Sequence, residues 1–152
     1  MDDILTVYAA ARDYMKRTGN AGQWGDHHPP QSLLEDDIKK EHLYVLDNKG
    51  IHGVFAFIIG DDPTYHRIDH GAWISDEPYG TIHRIASDGQ TKGIFKQCLA
   101  FCQNMSDNIR IDTHHDNKTM RHLIEKNGFQ RCGIVYMENG SPRIAYQYVK
   151  ST

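Results

Sequence analysis

The sequence predicts a mixed α/β domain with a mostly antiparallel central sheet and helices on both faces of that sheet. Three observations carry this prediction: apolar residues at helical spacing near the N-terminus, two β-rich runs joined by a hairpin turn, and a strand-loop-helix-strand segment in the middle of the chain. With 152 residues, 39% hydrophobic and 24% charged, the chain has the size and composition of one globular domain, residues 1–152.

Helices are predicted where apolar residues recur every three or four positions. In the first helix these residues include Ile4, Val7 and Ala11. A loop rich in glycine and proline, 20–30, leads to a short acidic helix, for which Ser32 and Glu35 form a capping box. The predicted helices span residues 3–17, 33–40, 92–105 and 118–126, the last with Asn117 as its N-cap.

Strands are predicted from runs of β-branched and aromatic residues. The first two are joined by Asn48-Lys49-Gly50, a turn sequence typical of hairpins. Strands 81–87 and 109–113 flank a helix, so they should lie parallel through a right-handed crossover. The predicted strands span residues 42–47, 51–59, 65–72, 81–87, 109–113, 129–137 and 143–149.

Composition and charge exclude several classes of protein. The longest apolar run, Val54 to Ile59, is far shorter than the roughly 20 residues that cross a bilayer, so no membrane partner is expected. The N-terminus carries two acids where a signal peptide carries positive charge, which favours a cytoplasmic protein. A net charge of −3 argues against nucleic acid. The three cysteines lack a C-x-x-C pair and are expected in the core.

The segment SDGQTKGIFKQC, residues 87–98, places two glycines and a lysine immediately before a helix. A helix N-terminus has unpaired N–H groups and a partial positive charge, so it attracts an anion unless a side chain caps it. Capping by Ser87 or Asp88 is the structural alternative. The P-loop sequence G-x-x-x-x-G-K-[ST] and the dinucleotide fingerprint G-x-G-x-x-G are both absent, which makes a nucleotide-binding domain the weakest reading.

Two segments together carry a resemblance to a known family. IASDGQTKGIF, residues 85–95, resembles a strand triplet followed by a loop of the form Q/R-x-x-G-x-G/A, and NKTMRHLIEKNGF, residues 117–129, resembles N-x-x-A-x-x-x-Y-x-K-x-G-F. Both are signatures of the GCN5-related N-acetyltransferase (GNAT) family, and the order of helices and strands agrees over nearly the whole chain.

The resemblance implies that acetyl-CoA is the cosubstrate. It assigns the pyrophosphate to the loop amides, the pantetheine arm to the backbone of the strand triplet, and a further cofactor contact to Asn117. The implied pyrophosphate positions are Gln90, Thr91, Lys92, Gly93, Ile94 and Phe95, and the triplet is Ile85, Ala86 and Ser87.

The sequence departs from the family pattern in five respects. Phe95 stands where glycine or alanine is usual, and Met120 replaces an alanine. Ile124 stands where many members have the tyrosine that protonates the departing thiolate. The turn before the loop, Asp88-Gly89, is short. No counterpart of the first strand of the family is evident before the first helix.

Two residues are candidate general bases for an attacking amine. His83 lies on the strand before the loop, on the face expected to include Thr81, Ile85 and Ser87, and imidazole titrates near neutral pH. Asp112 ends a strand, and a carboxylate there would need a raised pKa or a water relay. Tyr136 and Tyr79 are the candidates for the acid, with water as the alternative.

The other polar clusters point to less specific roles. Trp24, in the loop between the first two helices, is expected either in the acceptor pocket or in the core. The acidic cluster 35–37 is expected to be a solvated helix face. DTHHDN, residues 112–117, holds potential metal ligands, but His114 and His115 are adjacent and would point apart, so no metal is expected.

The leading hypothesis is therefore an N-acetyltransferase that moves the acetyl group from acetyl-CoA to a primary amine by direct attack. The acceptor would be a small molecule or a peptide N-terminus. The alternative is a CoA-binding sensor or regulatory module on the same fold, which the missing tyrosine favours. Family members are often dimers, so the resemblance also implies a homodimer as a candidate assembly.

Overall fold

The computed structural model describes residues 1–151 and contains one six-stranded sheet. The spatial order of the strands is β1-β2-β3-β4-β6-β5. The strands are β1 (Leu43–Asp47), β2 (Ile51–Ile59), β3 (Gly80–Ser87), β4 (Asn108–Thr113), β5 (Gln130–Tyr136) and β6 (Pro142–Val149). The helices are α1 (Asp2–Arg17), α2 (Ala21–Trp24), α3 (Gln31–Lys39), α4 (Ile94–Gln103) and α5 (Lys118–Lys126).

The pairing of β3 and β4 is the one parallel contact of the sheet in the described part of the chain, as the crossover rule predicts. It consists of only two residue pairs, Gly80 with Ile109 and Thr81 with Arg110. Beyond these pairs the edges of β3 and β4 that face each other have no strand partner. The sheet therefore opens into a gap at the C-terminal ends of these two strands.

Alternating residues of each strand divide the core between the two faces of the sheet. On one face α4 and α5 cover a large cluster that includes Phe55 and Ile111. On the other face two separate clusters form. One lies under α1 and α3 and includes Val54, and the other surrounds Tyr65 and Tyr79. This arrangement confirms the predicted mixed sheet with helices on both faces.

A β-bulge in β3 sets the direction of the side chains near the gap. Ala86 lies opposite Val54 and His83 opposite Ala56, so two residues of β3 stand against one residue of β2. His83 and Ala86 therefore share a face of the sheet, and Ile85 lies on the other. The predicted face that joined His83 to Ile85 and Ser87 is wrong because strict alternation stops at the bulge.

The predicted strand 65–72 is also wrong. Tyr65 ends a short 3-10 helix, and Asp69 makes only an isolated bridge with Ile134. His70 has φ of 60°, which interrupts an extended chain. Within this range, Tyr65 and Ile68 instead pack into the apolar cluster that also contains Tyr79.

Helix α3 begins differently from the prediction. It starts at Gln31 after Pro30, and no side chain caps it. Glu35 accepts a hydrogen bond from the side chain of Gln31 and so takes no part in a capping box with Ser32. The N-cap predicted for α5 is confirmed, because Asn117 Oδ1 accepts from the backbone N–H of Met120 at 3.0 Å.

Three further sequence predictions concern the start of the chain, membrane-spanning helices and the cysteines. No strand precedes α1 among residues 1–151. None of the helices in this range combines the length and the apolar character needed to cross a bilayer. The three cysteines, Cys98, Cys102 and Cys132, are buried free thiols, as predicted.

Candidate active site

Two cavities open on the gap between β3 and β4. The first, here called the α4 cavity, has a volume of about 630 Å³ and lies between α1, the end of β3, the start of α4 and α5. The second, called the His83 cavity, has a volume of about 750 Å³ and lies between α2, β3, β4 and the β5–β6 hairpin. Both are lined by Met15, Ile85, Asn117 and Met120, so the two cavities meet at these residues.

The start of α4 presents uncapped backbone donors to the α4 cavity. Gly93 occupies the N-cap position with φ of 77°, and it has no side chain to accept a hydrogen bond. Within the described residues, the backbone N–H groups of 91–96 have no acceptor. Together with the helix dipole, this row of donors forms a site suited to an anion.

Ser87 and Asp88, the side chains that could have capped α4, instead accept hydrogen bonds from the loop that precedes the helix. Ser87 Oγ accepts from the N–H of Gly89 at 3.1 Å, and Asp88 Oδ1 accepts from the N–H of Gln90 at 2.9 Å. The other oxygen of Asp88 is 2.7 Å from Nδ1 of His52 on β2. The capping alternative is therefore not what the structure shows, and the carboxylate of Asp88 holds the loop rather than the helix.

The six loop positions do not contribute equally. Thr91, Gly93, Ile94 and Phe95 line the α4 cavity, whereas Gln90 and Lys92 do not and are exposed. The N–H of Gln90 is already bonded to Asp88, which removes Gln90 from the free donors. The expected contact of Gln90 with a ligand therefore has no support in this geometry.

Phe95 does not obstruct the donors at the start of α4. Its side chain is 3% exposed and packs in the core, with its ring centroid 6.2 Å from that of Phe129. The bulky residue at this position is thus accommodated by the core behind α4.

The triplet Ile85–Ser87 forms one wall of the α4 cavity. On the β2 side it is paired, since Ala86 lies opposite Val54 and Ser87 opposite Gly53. On the β4 side it has no strand partner within the described residues. This free edge can pair with an extended ligand in the manner of an added strand.

Asn117 lies where the two cavities meet. Its Oδ1 caps α5, and its Nδ2 donates to Gln23 Oε1 at 3.0 Å. Gln23 Oε1 also accepts from Asn20 at 2.9 Å. Gln23 thus connects α2 to the start of α5, a role that nothing in its sequence context indicated.

His83 lines the second cavity and is oriented by a carboxylate. Its Nε2 is 2.9 Å from Asp62 Oδ2. Burial alone would raise the pKa of Asp62, but the hydrogen bond and charge of His83 and the N–H of Thr64 outweigh it, so this pKa lies below its usual range. Because an ionised carboxylate can only accept, Nε2 carries the proton, and in the neutral ring Nδ1 is the free basic nitrogen.

Asp112 lines the same cavity and accepts a hydrogen bond from the hydroxyl of Tyr65 at 2.6 Å. Burial raises the pKa of the Asp112 carboxyl. The hydrogen bond from Tyr65 and the charges of His83 and Arg143 act in the opposite direction. Asp112 therefore has the raised pKa that a carboxylate base at this position was expected to need.

Neither tyrosine considered as an acid lines a cavity. The hydroxyl of Tyr136 donates to Asp69 at 2.9 Å, and its ring lies 4.5 Å from the guanidinium carbon of Arg67. The hydroxyl oxygen of Tyr79 accepts from the backbone N–H of Asp62. The geometry thus gives no support to the acid role predicted for Tyr136. Ile124 is fully buried in the core.

Trp24 ends α2 and lines the His83 cavity, with its ring centroid 5.7 Å from that of Tyr8 and 6.2 Å from that of His28. Its half-buried side chain both closes the cavity and packs against the cluster under α1. The two roles considered for Trp24, pocket wall and core contact, are therefore combined in one position.

The acidic cluster of α3 is not uniformly solvated. Asp36 is exposed and pairs with Lys40, whereas Asp37 is 3% exposed and forms a two-bond ion pair with Arg84. The expectation of a solvated face is thus wrong for Asp37. Among residues 1–151 no group of three or more His, Cys, Asp or Glu side chains is arranged to hold a metal ion.

Several residues of the site were not identified from the sequence. Asp62 and Tyr65 lie in the segment between β2 and β3, which has no periodicity, and each is brought to its partner only by the fold. Arg143 begins β6 and reaches the His83 cavity from the hairpin. Their sequence neighbourhoods carry no motif that would have singled them out.

The fold is shared with solved structures. An acetyltransferase of the GNAT family from Streptococcus agalactiae is 32% identical, with a TM-score of 0.89, over 99% of this chain and 90% of that one. A GNAT-family acetyltransferase from Listeria monocytogenes shows the same fold at 20% identity, with a TM-score of 0.68, over 96% of this chain and 87% of that one.

A chain of the NatC complex bound to Gag peptide and CoA also has this fold, at 16% identity and a TM-score of 0.58, over 95% of this chain and 91% of that one. No protein-family model matches the sequence, and no curated protein matches it. The structural evidence nevertheless identifies the class as that of the acetyltransferases. The chain belongs to the GNAT family.

Proposed function

We propose that this protein is an acetyl-CoA-dependent N-acetyltransferase that acts on a primary amine. The observation that carries the proposal is the meeting of two cavities, one with free backbone donors at the start of α4 and one with His83 and Asp112 in its wall. The family supports acetyl transfer in general. The finer assignment depends on the chemistry of these residues.

The residues of the α4 cavity fit the cofactor. The N–H groups of 91–96 would hold the pyrophosphate, and the free edge of Ile85–Ser87 would hold the pantetheine arm. When bound, acetyl-CoA supplies a thioester as the acetyl donor. The backbone N–H of Ile85 or Ala86 is the candidate for polarising its carbonyl.

We assign the general base to His83, since Asp62 leaves Nδ1 available to take a proton from the ammonium of the acceptor. Asp112 would attract and orient that ammonium. With Ile124 in the core and no tyrosine hydroxyl shown to act as an acid, the thiolate would leave without a protein acid. A thiolate is a tolerable leaving group, so orientation of the amine contributes more to the rate than acid catalysis.

Acetyl-CoA titration tests cofactor binding. We expect the melting temperature to rise with the logarithm of the acetyl-CoA concentration. Absence of a shift at millimolar acetyl-CoA would overturn both the enzyme and the CoA-binding sensor. Release of free CoA thiol in the presence of an amine panel then separates these two, because a sensor binds the cofactor without releasing thiol. A cytoplasmic location and a homodimer remain predictions from the sequence.

A further inference from the structure

Arg143 is a buried cation in the wall of the His83 cavity. It lies at the start of β6, lines the cavity and is only 8% exposed. Burial lowers the pKa of its guanidinium, against the charge of Asp112. A charge in this position normally has a carboxylate partner, because desolvation of an unpaired ion is costly.

No carboxylate oxygen lies within 4.0 Å of Arg143 among residues 1–151. Its partners are all uncharged: the hydroxyl of Ser141, the carbonyl of Pro142 at 3.0 Å and, more distantly, the carbonyl of Gln23 at 3.4 Å. A guanidinium has five N–H donors, so these contacts leave donor capacity unused. The fold thus holds Arg143 in place without neutralising it.

Asp112 and Arg143 place a negative and a positive group in the wall of the same cavity. Asp112 lies opposite Ala145, and Arg143 is two residues from Ala145 along β6. Both side chains therefore lie on one face of the sheet as diagonal neighbours. They do not form an ion pair, which leaves one negative and one positive group to face the same space.

The charge of Arg143 also affects the pKa values of two nearby histidines. The pKa values of His28 and His114 are lowered, first by burial and then by nearby cations that include Arg143. His28 lines the His83 cavity beside Trp24. Arg143 therefore places a positive charge at the end of the cavity near α2, where it reaches the carbonyl of Gln23, whereas Asp112 lies at the end near β3 and β4. Two other charged residues line the cavity: Arg84, which is paired with Asp37, and Glu138, which is exposed.

We infer that the acceptor is an amino carboxylate: its amine lies toward His83 and Asp112, and its carboxylate binds the free N–H donors of Arg143. This inference rests on the proposed function and names the substrate class of the same site. A planar carboxylate matches the fork of the guanidinium and replaces the missing acidic partner.

The test compares acids with their carboxamides. The panel contains the protein amino acids, β-alanine and 4-aminobutyrate, each beside its carboxamide, with thiol release as the readout. At least one acid should have kcat/KM about 30- to 100-fold above that of its amide. In Arg143→Met that preference should fall to near unity, and Arg143→Lys should retain part of it. Arg131→Met, an exposed arginine on β5, should keep the full preference.

Acetyl-CoA thermal shifts on each variant confirm that it is folded. Equal rates for acids and amides in the wild type, or preference for amides, would overturn the inference and leave the proposed function intact. If no member of the panel releases thiol, the same ligands are tested for thermal shifts in the presence of CoA. An acid-specific shift that Arg143→Met abolishes supports the inference even if turnover fails, and absence of such a shift overturns it.

Discussion

Arg84 holds Asp37 through two hydrogen bonds, Nε to Oδ2 at 2.9 Å and Nη2 to Oδ1 at 2.7 Å, and this pair anchors the bulge of β3 to α3. Arg84 has φ of 53°, an unfavourable conformation for a residue with a side chain. Its carbonyl accepts from the hydroxyl of Tyr8 at 2.7 Å. The bulge that directs His83 and Ile85 to opposite faces is thus fixed by contacts from two helices.

We predict that Arg84→Met lowers the free energy of unfolding by about 3–5 kcal/mol, because it leaves the buried carboxylate of Asp37 without a partner. Urea denaturation followed by circular dichroism measures this loss. Asp36→Asn is the matched control on the same helix, since Asp36 belongs to an exposed pair and should cost less than about 1 kcal/mol. Similar losses in both variants would contradict the structural role of the buried pair.

Gly93→Asp should separate cofactor binding from stability. The introduced carboxylate would occupy the free donors of α4 and repel a diphosphate, raising the Kd for acetyl-CoA by about 100-fold. The free energy of unfolding should change by only about 1 kcal/mol, since Asp near a helix start is favourable and a Cβ at Gly93 meets no atom within 4 Å.

The control for that variant is Gly19→Asp. Gly19 has a similar φ, 84°, also lies in open space, and lines neither cavity. Isothermal titration of both variants with acetyl-CoA measures the Kd. Unaltered affinity in Gly93→Asp would show that the start of α4 does not bind the diphosphate.

We predict that His83→Gln lowers kcat by about 100-fold or more and leaves the KM for acetyl-CoA unchanged, because the base acts on the acceptor. Asp62→Asn should lower kcat less, since the imidazole remains but loses the ionised partner that orients it. His66→Gln, an exposed histidine of the same segment, is the control. An unaltered rate in His83→Gln would move the base role to Asp112 or water.

The raised pKa of Asp112 has a consequence for stability. A carboxyl that binds its proton more tightly in the folded state contributes stability that is fully present below its unfolded pKa, about 3.9, and lost as the pH rises through the folded pKa. In Asp112→Asn the side-chain amide cannot ionise, but its oxygen can still accept the hydrogen bond from the hydroxyl of Tyr65. The urea midpoint of Asp112→Asn should therefore exceed that of the wild type at pH 7, with the difference vanishing near pH 3. Asp107→Asn, on the surface, is the matched control, and an equal rise of the urea midpoint in this variant would contradict the assignment to Asp112.

The sequence predicted those parts of the fold that depend on local patterns. Helix α5 begins and ends as predicted because Asn117 caps it and Gly128 follows it. The hairpins were found because a turn sequence separates two β-rich runs. The segment between β2 and β3 was misread because Tyr65 and Ile68 are β-forming residues, yet they pack into the core from an irregular loop.

Within the candidate site, local reasoning identified residues but not their partners. His83 and Asp112 were selected from the sequence, and both line one cavity. Their partners Asp62 and Tyr65 are far away in the chain, so only the three-dimensional arrangement reveals which nitrogen of His83 is free. The bulge at Arg84 has no sequence signature, because it depends on the buried carboxylate of Asp37, which lies on α3 far away in the chain.

The gap between β3 and β4 makes this site sensitive to side chains that are buried behind it. On one face of the sheet the core is divided into two clusters, one under α1 and α3 and the other around Tyr65 and Tyr79. On the other face a single apolar layer, which includes Phe95 and Ile124, extends across both β3 and β4. The side chains of that layer therefore help to set how far apart β3 and β4 lie at the gap. Substitutions in that layer should therefore change the shape of both cavities before they abolish folding.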